Sequence, residues 1–334
     1  MDPVSHVAFG RTLIALDRRR TLGPGSIAAC VLGSLAPDLD AVFMPIGWDI
    51  YLRRHQGGTH SLIGSLACAA LIAAVVKFPS KRGRYLPLLL AGWAGAAGHL
   101  VLDVISGADV RFFWPVGPPV ALPLFAMADP WLGGVLAAGL VALVLRKRES
   151  GRTAAAILIA VTVLACGKAA LYARVHGGQE PSDRAVQFRR AETEWGSLTR
   201  WITYETGADA VDARRVDAWT GAVTPLVHLP RGLDDPLVAR SRELDTVQNF
   251  LAAHGVTFAT VIADSAERRL VLWSDLRYCG PLKNRSTPWT PITLGSGSPV
   301  SCALWFGGEF DPATNVPRAA IVYVGHLVQR RSIR

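Results

Sequence analysis

Cysteine is scarce in this chain of 334 residues, and its five cysteines are widely separated. None of them has the C-x-x-C spacing of a thiolate zinc site, which excludes that class of metal site as the first interpretation. The N-terminus also has no basic start followed by an apolar core. This predicts that no secretion signal is cleaved and that the first helix stays in the mature protein.

Acidic residues are few in the first half of the chain. Residues 1–172 carry 16 Lys and Arg against 9 Asp and Glu, whereas residues 173–334 carry 19 against 17. The first half is otherwise rich in Ala, Leu, Val, Ile and Gly, so we expect a membrane-embedded domain at 1–172 and a soluble domain at 173–334. The net charge of +9 lies mainly in short loops between apolar runs. Membrane topology explains that distribution better than a nucleic-acid partner.

Hydrophobic periodicity predicts an all-α integral membrane domain with about five to six helical segments. The apolar segments are 22–46, 61–78, 86–105, 131–145 and 154–172, with a shorter helical pattern at 3–17. A helix needs about twenty apolar residues to cross a bilayer, a length that 61–78, 86–105 and 154–172 approach.

The second half alternates helix and strand patterns, which predicts a soluble α+β domain with a largely antiparallel sheet. Helices are expected at 182–195 and 236–253. Strands are expected at 199–206, 210–219, 256–263, 269–278, 301–307 and 318–326.

Basic residues mark alternate loops of the first half. Three loops hold eleven of them, at 18–20, 77–84 and 146–152, whereas the opposite loops hold only Arg53, Arg54 and Arg111. If basic loops stay in the cytoplasm, the chain is a multi-pass protein of the cytoplasmic membrane with its C-terminal domain outside. Cys279 and Cys302 would then lie in an oxidising compartment, although the sequence leaves their pairing open.

The most informative pattern is His99 and Asp103 in GHLVLDVI, within about twenty otherwise apolar residues. Residues at i and i+4 share one helix face, so the two side chains converge. Ionisable groups inside a membrane are costly, which favours a functional explanation. A buried structural hydrogen bond between the two residues is the alternative.

Further metal-ligand residue types lie on the same predicted side of the membrane. The candidate metal ligands are His6, His55, His60, His99, Asp103 and Asp129, and the catalytic candidates are Asp38 and Asp40. One of these two aspartates is expected to bind metal and the other to orient a ligand. The mixed His and Asp set favours zinc, with manganese and iron open, in a two-metal centre or in one metal site with outer partners.

Five segments together resemble a known family. They are MDPVSHVAFG, GSLAPDLD, RRHQGGTHSL, GHLVLDVIS and MADPWLGG, and in this order they resemble the bacterial membrane-bound metal-dependent hydrolases typified by YdjM and YfhP. The resemblance covers residues 1 to about 145, and VLWSDLRYCG is similar to a D-L-R element of YfhP-like members. It implies a polar core of His6, Asp38, Asp40, His55, His60, His99 and Asp103, with Asp129 as a further candidate.

One segment departs from the family pattern. Many members have T-x-x-G-T and a proline motif after the H-x-x-x-D helix, whereas this chain has ISGADVRFFWPV. No substrate contact is therefore carried over there. A more distant likeness, through the H-x-x-x-D helix, is to zinc-dependent phospholipase C and related all-helical nucleases.

The leading hypothesis is a membrane-bound hydrolase in which metal-activated water attacks an ester. The favoured ester is a phosphoester of a lipid or lipid-linked substrate. Asp38 or Asp40 would act as general base. Arg53, Arg54 and Arg111 would bind an anionic small molecule or lipid, or sit at lipid headgroups. The competing hypothesis is a non-catalytic membrane protein that uses the metal for structure or metal handling. The sequence leaves protein partners open.

Overall fold

A computed structural model describes residues 1–19, 21–80, 84–177, 186–265, 268–281, 300–325 and 327–333. Of the basic loop residues, Arg20, Lys81 and Arg82 lie outside this part of the chain. A helical N-terminal region is followed by a C-terminal domain of antiparallel sheets.

The helical region contains α1 (Pro3–Ile14), α2 (Ser26–Gly33), α3 (Trp48–Arg54), α4 (Leu62–Ser80), α5 (Tyr85–Ile105), α6 (Pro130–Leu145) and α7 (Ser150–Gly177). A 3₁₀ segment, Ala36–Phe43, follows α2. Within the described residues, Tyr85–Ile105 and Lys147–His176 are long and apolar enough to cross a membrane. The bent pair formed by α2 and the 3₁₀ segment would be a third span.

The prediction of five to six helical segments is too simple. The segment at 22–46 is broken, because Pro37 disfavours a helical conformation for the residue before it, and α3 is an additional helix. The predicted helical character of this region is confirmed.

Glycines at their interface allow α2 and α5 to pack closely together. A Cβ added to Gly33 would lie 2.2 Å from the carbonyl oxygen of Gly92, and one added to Gly95 would lie 2.0 Å from that of Cys30. Only glycine permits so close an approach of two helix backbones. α1 packs against the next glycine of α5, Gly98. Both helices therefore lie against the turn of α5 that carries His99.

The C-terminal domain contains two main antiparallel sheets among the described residues. The first has the order β1-β2-β3-β4, and the second has the order β11-β10-β9-β6-β5, with a small β7-β8 pair. Their bounds are β1 (Phe188–Thr193), β2 (Arg200–Thr206), β3 (Ala210–Asp217), β4 (Val223–Pro230), β5 (Thr257–Ser265), β6 (Arg268–Asp275), β7 (Cys279–Pro281), β8 (Val300–Cys302), β9 (Leu304–Phe310), β10 (Pro317–Val324) and β11 (Leu327–Ser332). The predicted antiparallel arrangement is confirmed.

Two predictions within this domain are corrected. The helix predicted at 182–195 is wrong where the structure describes it, because β1 pairs along its whole length with β2. Residues 178–185 lie outside the described chain. The helix predicted at 236–253 is divided into α8 (Pro236–Ser241) and α9 (Asp245–Ala253). Cys279 and Cys302, whose pairing the sequence left open, form a disulfide between β7 and β8.

The C-terminal domain docks onto α3. Trp48 and Leu52 of α3 pack against the buried apolar cluster that includes Phe250 of α9. The buried carboxylate of Asp49 accepts a hydrogen bond from Asn249 Nδ2 at 3.0 Å, and it also pairs with Arg331. α3 leads directly into the loop that carries His55 and His60, so this contact holds that loop beside the C-terminal domain.

Candidate metal centre

The centre is built on one turn of α5. His99 and Asp103 are both buried, and His99 Nε2 lies 3.3 Å from Asp103 Oδ2. The i, i+4 spacing places both side chains on the same face of the helix. The amino group of Met1 lies 2.5 Å from the other carboxylate oxygen of Asp103.

His60 reaches this pair from the loop between α3 and α4. Its Nε2 atom lies 3.2 Å from His99 Nε2 and 3.4 Å from Asp103 Oδ2. Asp38, from the 3₁₀ segment, adds Oδ1 at 3.4 Å from His60 Nε2 and 3.5 Å from His99 Nε2. Four ligand atoms from three separate segments therefore converge on one point.

The spacing of these atoms fits a tetrahedral cation. With bonds of about 2.0–2.1 Å, as zinc makes to nitrogen and oxygen, the ligand atoms of a tetrahedron lie about 3.3 Å apart. Five of the six separations in the set fall between 3.2 and 3.5 Å. The separations of the four ligand atoms therefore fit the divalent metal ion that the sequence predicts.

The two imidazoles are oriented from behind. His99 Nδ1 donates to the carbonyl oxygen of Ser34 at 2.8 Å, which leaves Nε2 as the lone-pair nitrogen. His60 Nδ1 lies 3.1 Å from Thr59 Oγ1, which in turn donates to Asp40 at 3.2 Å. Because the Thr59 proton goes to the carboxylate, His60 Nδ1 is the donor and its Nε2 also carries a lone pair. Two lone pairs then face each other at 3.2 Å, which requires a cation or a proton between them.

Asp40 lies behind the four ligand atoms. Its carboxylate accepts from His55 Nδ1 at 3.1 Å and lies 3.6 Å from His60 Nδ1. Such a carboxylate behind a histidine is the usual outer partner of a metal ligand. The structure therefore brings His55 to Asp40, and Asp38, His55 and His60 also form a group that could hold a metal ion.

His6 is a buried side chain with unsatisfied nitrogens. Its ring stacks on that of His99 with centroids 3.7 Å apart, and its Nε2 lies 3.3 Å from Asp103 Oδ1. Neither ring nitrogen makes a hydrogen bond to the described residues. A buried orphan nitrogen is costly. His6 therefore fits a role as a metal ligand, and it also forms a candidate group with Asp38 and His99.

The centre is electronegative. The carboxylates of Asp38 and Asp103 each have an oxygen 3.4 Å from His60 Nε2. The surrounding carboxylates thus favour a positive charge at the position where the four ligand atoms converge.

Asp129 is not brought into this cluster. Its carboxylate caps α6 by accepting from the backbone N–H groups of Trp131 and Leu132, and it lies 4.0 Å from Lys168 Nζ. The Asp-Pro dipeptide at the start of α6 is a common signal for such a cap. The sequence prediction of Asp129 as a metal ligand overlooked that signal.

A cleft of about 1460 Å³ opens beside the centre, between the helical region and the C-terminal domain. Asp40, His55 and Thr59 are among the residues that line it. The predicted substrate-binding residues Arg53, Arg54 and Arg111 also line it, and all three are exposed.

Other arginines of the cleft are neutralised, unlike these three. Arg190 pairs with Asp109, and Arg331 pairs with Asp49. Within the described chain, Arg53 instead donates to the neutral amide of Asn249 at 2.6 Å, and Arg54 lies over the ring of Phe43. No carboxylate among the described residues pairs with Arg111 either. The cleft thus has positive charge available for an anion.

Comparison with known families concerns the same part of the chain. The family described as "YdjM inner membrane protein" matches residues 1–173, which include the whole His and Asp cluster. The chain belongs to this YdjM family. The resemblance seen in the five sequence segments is therefore confirmed, and the family description agrees with the apolar helices on a location in the inner membrane.

One relative of the YdjM type is YfhP, an uncharacterized protein of Bacillus subtilis (strain 168). It is 30% identical to this chain over 143 residues, which is 40% of this chain and 43% of YfhP. The match thus spans less than half of either protein. No solved structure matches the chain.

Sequence reasoning missed two partners of the histidines. Ser34 contributes only its backbone carbonyl, which has no sequence signal. Thr59 immediately precedes His60, and its hydroxyl links that ring to Asp40. A hydroxyl residue next to a candidate ligand is the signal that could have suggested this role.

Proposed function

We propose that this member of the YdjM family is a metal-dependent hydrolase of the cytoplasmic membrane. Its substrate is an ester, and the substrate class that we favour is a phosphoester of a lipid or lipid-linked compound. The observation that carries the proposal is the convergence of two imidazole lone pairs and two carboxylates next to a cleft with unneutralised arginines.

The bound ion is a divalent metal. Two imidazoles with two carboxylates favour zinc, and manganese and iron also accept this donor set. When bound, the ion supplies Lewis-acid activation of water and of the ester. His60, His99 and Asp103 hold it, and His6 lies next to the set as a further ligand.

In the hydrolase, Asp38 acts as the general base and not as a fourth ligand, and it takes the proton from the attacking water. It is the accessible member of the cluster, with 33% of its side chain exposed, whereas the side chains of His60 and His99 are fully buried. A carboxylate that is partly exposed to solvent and lies beside the ligand atoms is suited to act as a general base. Asp40 orients His55 and His60, and Asp129 keeps its role as a helix cap.

Arg53, Arg54 and Arg111 bind the anionic group of the substrate. Replacing Arg111 by Gln should raise KM about tenfold or more with a smaller effect on kcat, because a hydrogen bond to a charged group contributes roughly 1.5–3 kcal/mol. The measurement is steady-state hydrolysis of a panel of phosphoesters. Arg148→Gln, an exposed arginine outside the cleft, is the control. Equal KM values for the two variants would remove Arg111 from the binding site.

A structural or metal-handling site is the second candidate. Four protein ligands are typical of structural zinc, whereas catalytic zinc keeps one position open. Four protein ligand atoms converge around His60 and His99, and this number favours a structural or metal-handling site. The partial exposure of Asp38 and the charged cleft favour the hydrolase.

The site and the C-terminal domain face the extracytoplasmic side of a multi-pass protein. The basic loops support this orientation, and so does the disulfide between Cys279 and Cys302, because disulfides persist in oxidising compartments. Alkaline phosphatase fused to the C-terminus should therefore be active in a Gram-negative host. A fluorescent C-terminal fusion that folds in the cytoplasm would refute the orientation.

A further inference from the structure

The loop between α5 and α6 exposes an unusual number of large apolar side chains. Phe113 is 65% exposed, Trp114 46%, Val116 70% and Val120 43%. The loop is nevertheless ordered at its base, where the backbones of Val110 and Val120 exchange hydrogen bonds of 3.1 and 2.9 Å. An apolar tip on a closed base indicates a surface that meets something other than water.

The position of this loop identifies what it meets. α5, which is long enough to span a membrane, ends at Ile105, only a few residues before the loop. The apolar helix α4 begins beside it, since the amide of Leu62 donates to the carbonyl oxygen of Phe112 at 3.0 Å. Two apolar helices thus reach the same side of the molecule at the loop.

The side-chain chemistry agrees with a lipid surface. Exposed aromatic and aliphatic residues are flanked by the basic residue Arg111, the combination that suits the boundary between headgroups and acyl chains. A contact with a second copy of the chain would not require the basic residue or the continuity with α4 and α5.

The same loop forms part of the cleft. Trp114 lines the cleft and lies against the loop that leads to His60: a Cβ added to Gly58 would meet its ring at 3.8 Å. One short segment therefore has an outward apolar tip and an inward tryptophan beside the candidate metal centre.

We infer that residues 110–120 dip into the headgroup layer of the membrane that α5 crosses, so that an amphiphile passes from the bilayer along Trp114 into the cleft. The role in substrate entry rests on the proposed function, whereas the membrane contact does not.

The test measures the depth of a spin label. Val116→Cys is labelled in a chain whose three free cysteines, Cys30, Cys68 and Cys166, are replaced by Ala, with the disulfide retained. The protein is reconstituted in vesicles of phosphatidylethanolamine and phosphatidylglycerol. Val223→Cys on β4, which is 58% exposed, is the matched control.

The label at position 116 should collide more with oxygen than with a water-soluble nickel chelate, at a depth of about 5–10 Å, and the label at 223 should show the reverse. Equal nickel accessibility at both positions would overturn the inference. Exclusion of both relaxants at position 116 would also overturn it, because that result indicates burial against protein.

A second variant tests substrate entry separately. Phe113→Ser combined with Val116→Ser should raise KM for a phosphoester lipid in vesicles about tenfold while leaving a short-chain soluble phosphoester unaffected. An equal effect on both substrates would refute the entry role. If the parent protein hydrolyses neither substrate, the proposed function fails, and the depth measurement still decides the membrane contact.

Discussion

Replacing His99 by Ala is expected to lower the affinity of the protein for its divalent metal more than about a hundredfold. Loss of an outer partner of a metal ligand already costs 10–100-fold, and His99 is itself one of the four converging donors. The hydrogen bond from its Nδ1 to Ser34 leaves its Nε2 facing the other converging donors. Bound metal per chain after competition with a chelator is the measurement.

The matched control is His228→Ala. His228 is an exposed histidine of β4 that pairs with Asp212 and lies outside the cluster. It should retain the metal of the parent protein. His60→Ala and Asp103→Ala should behave like His99→Ala, and unchanged metal content in all three would refute the ligand assignment.

Asp38→Asn is expected to abolish hydrolysis while keeping the fold and most of the metal. The amide preserves the size of the side chain and can still offer an oxygen, but it cannot accept a proton at neutral pH. General-base catalysis typically contributes 10²–10⁴-fold, so turnover should fall by at least about a hundredfold. Hydrolysis, metal content and melting temperature are measured on the same purified samples, with Asp234→Asn, an exposed carboxylate outside the cleft, as control.

The structural alternative predicts another pattern for Asp38→Asn. Metal binding would then contribute directly to folding, so the melting temperature would fall in proportion to lost metal. Such proportionality, with no phosphoester hydrolysis by the parent protein, would contradict the hydrolase proposal.

Local sequence patterns were sufficient for parts of the fold and of the site. The i, i+4 spacing of His99 and Asp103 was enough to place both on one face of α5, because helix geometry fixes that relation. The alternating patterns of β5 and β6 were enough to locate both strands. These features depend on neighbours in the sequence.

Other features depended on contacts between distant segments. β1 was predicted as helix because its Arg, Ala and Glu residues have good helix propensity, which pairing with β2 overrides. The convergence of His60 with His99 requires the loop after α3 to fold over α5, and no local spacing encodes that. The docking of α3 through Asp49 onto Asn249 and Arg331 joins residues about 200 positions or more apart.

X-ray absorption at the metal edge of the purified parent protein tests the central claim most directly. We expect at least about one metal ion per chain. Its ligands should be nitrogen and oxygen near 2.0–2.1 Å, with scattering from at least two imidazoles. A metal-free protein that is folded and stable, or a sulfur ligand near 2.3 Å, would contradict the assignment of His60, His99 and Asp103 as the metal centre.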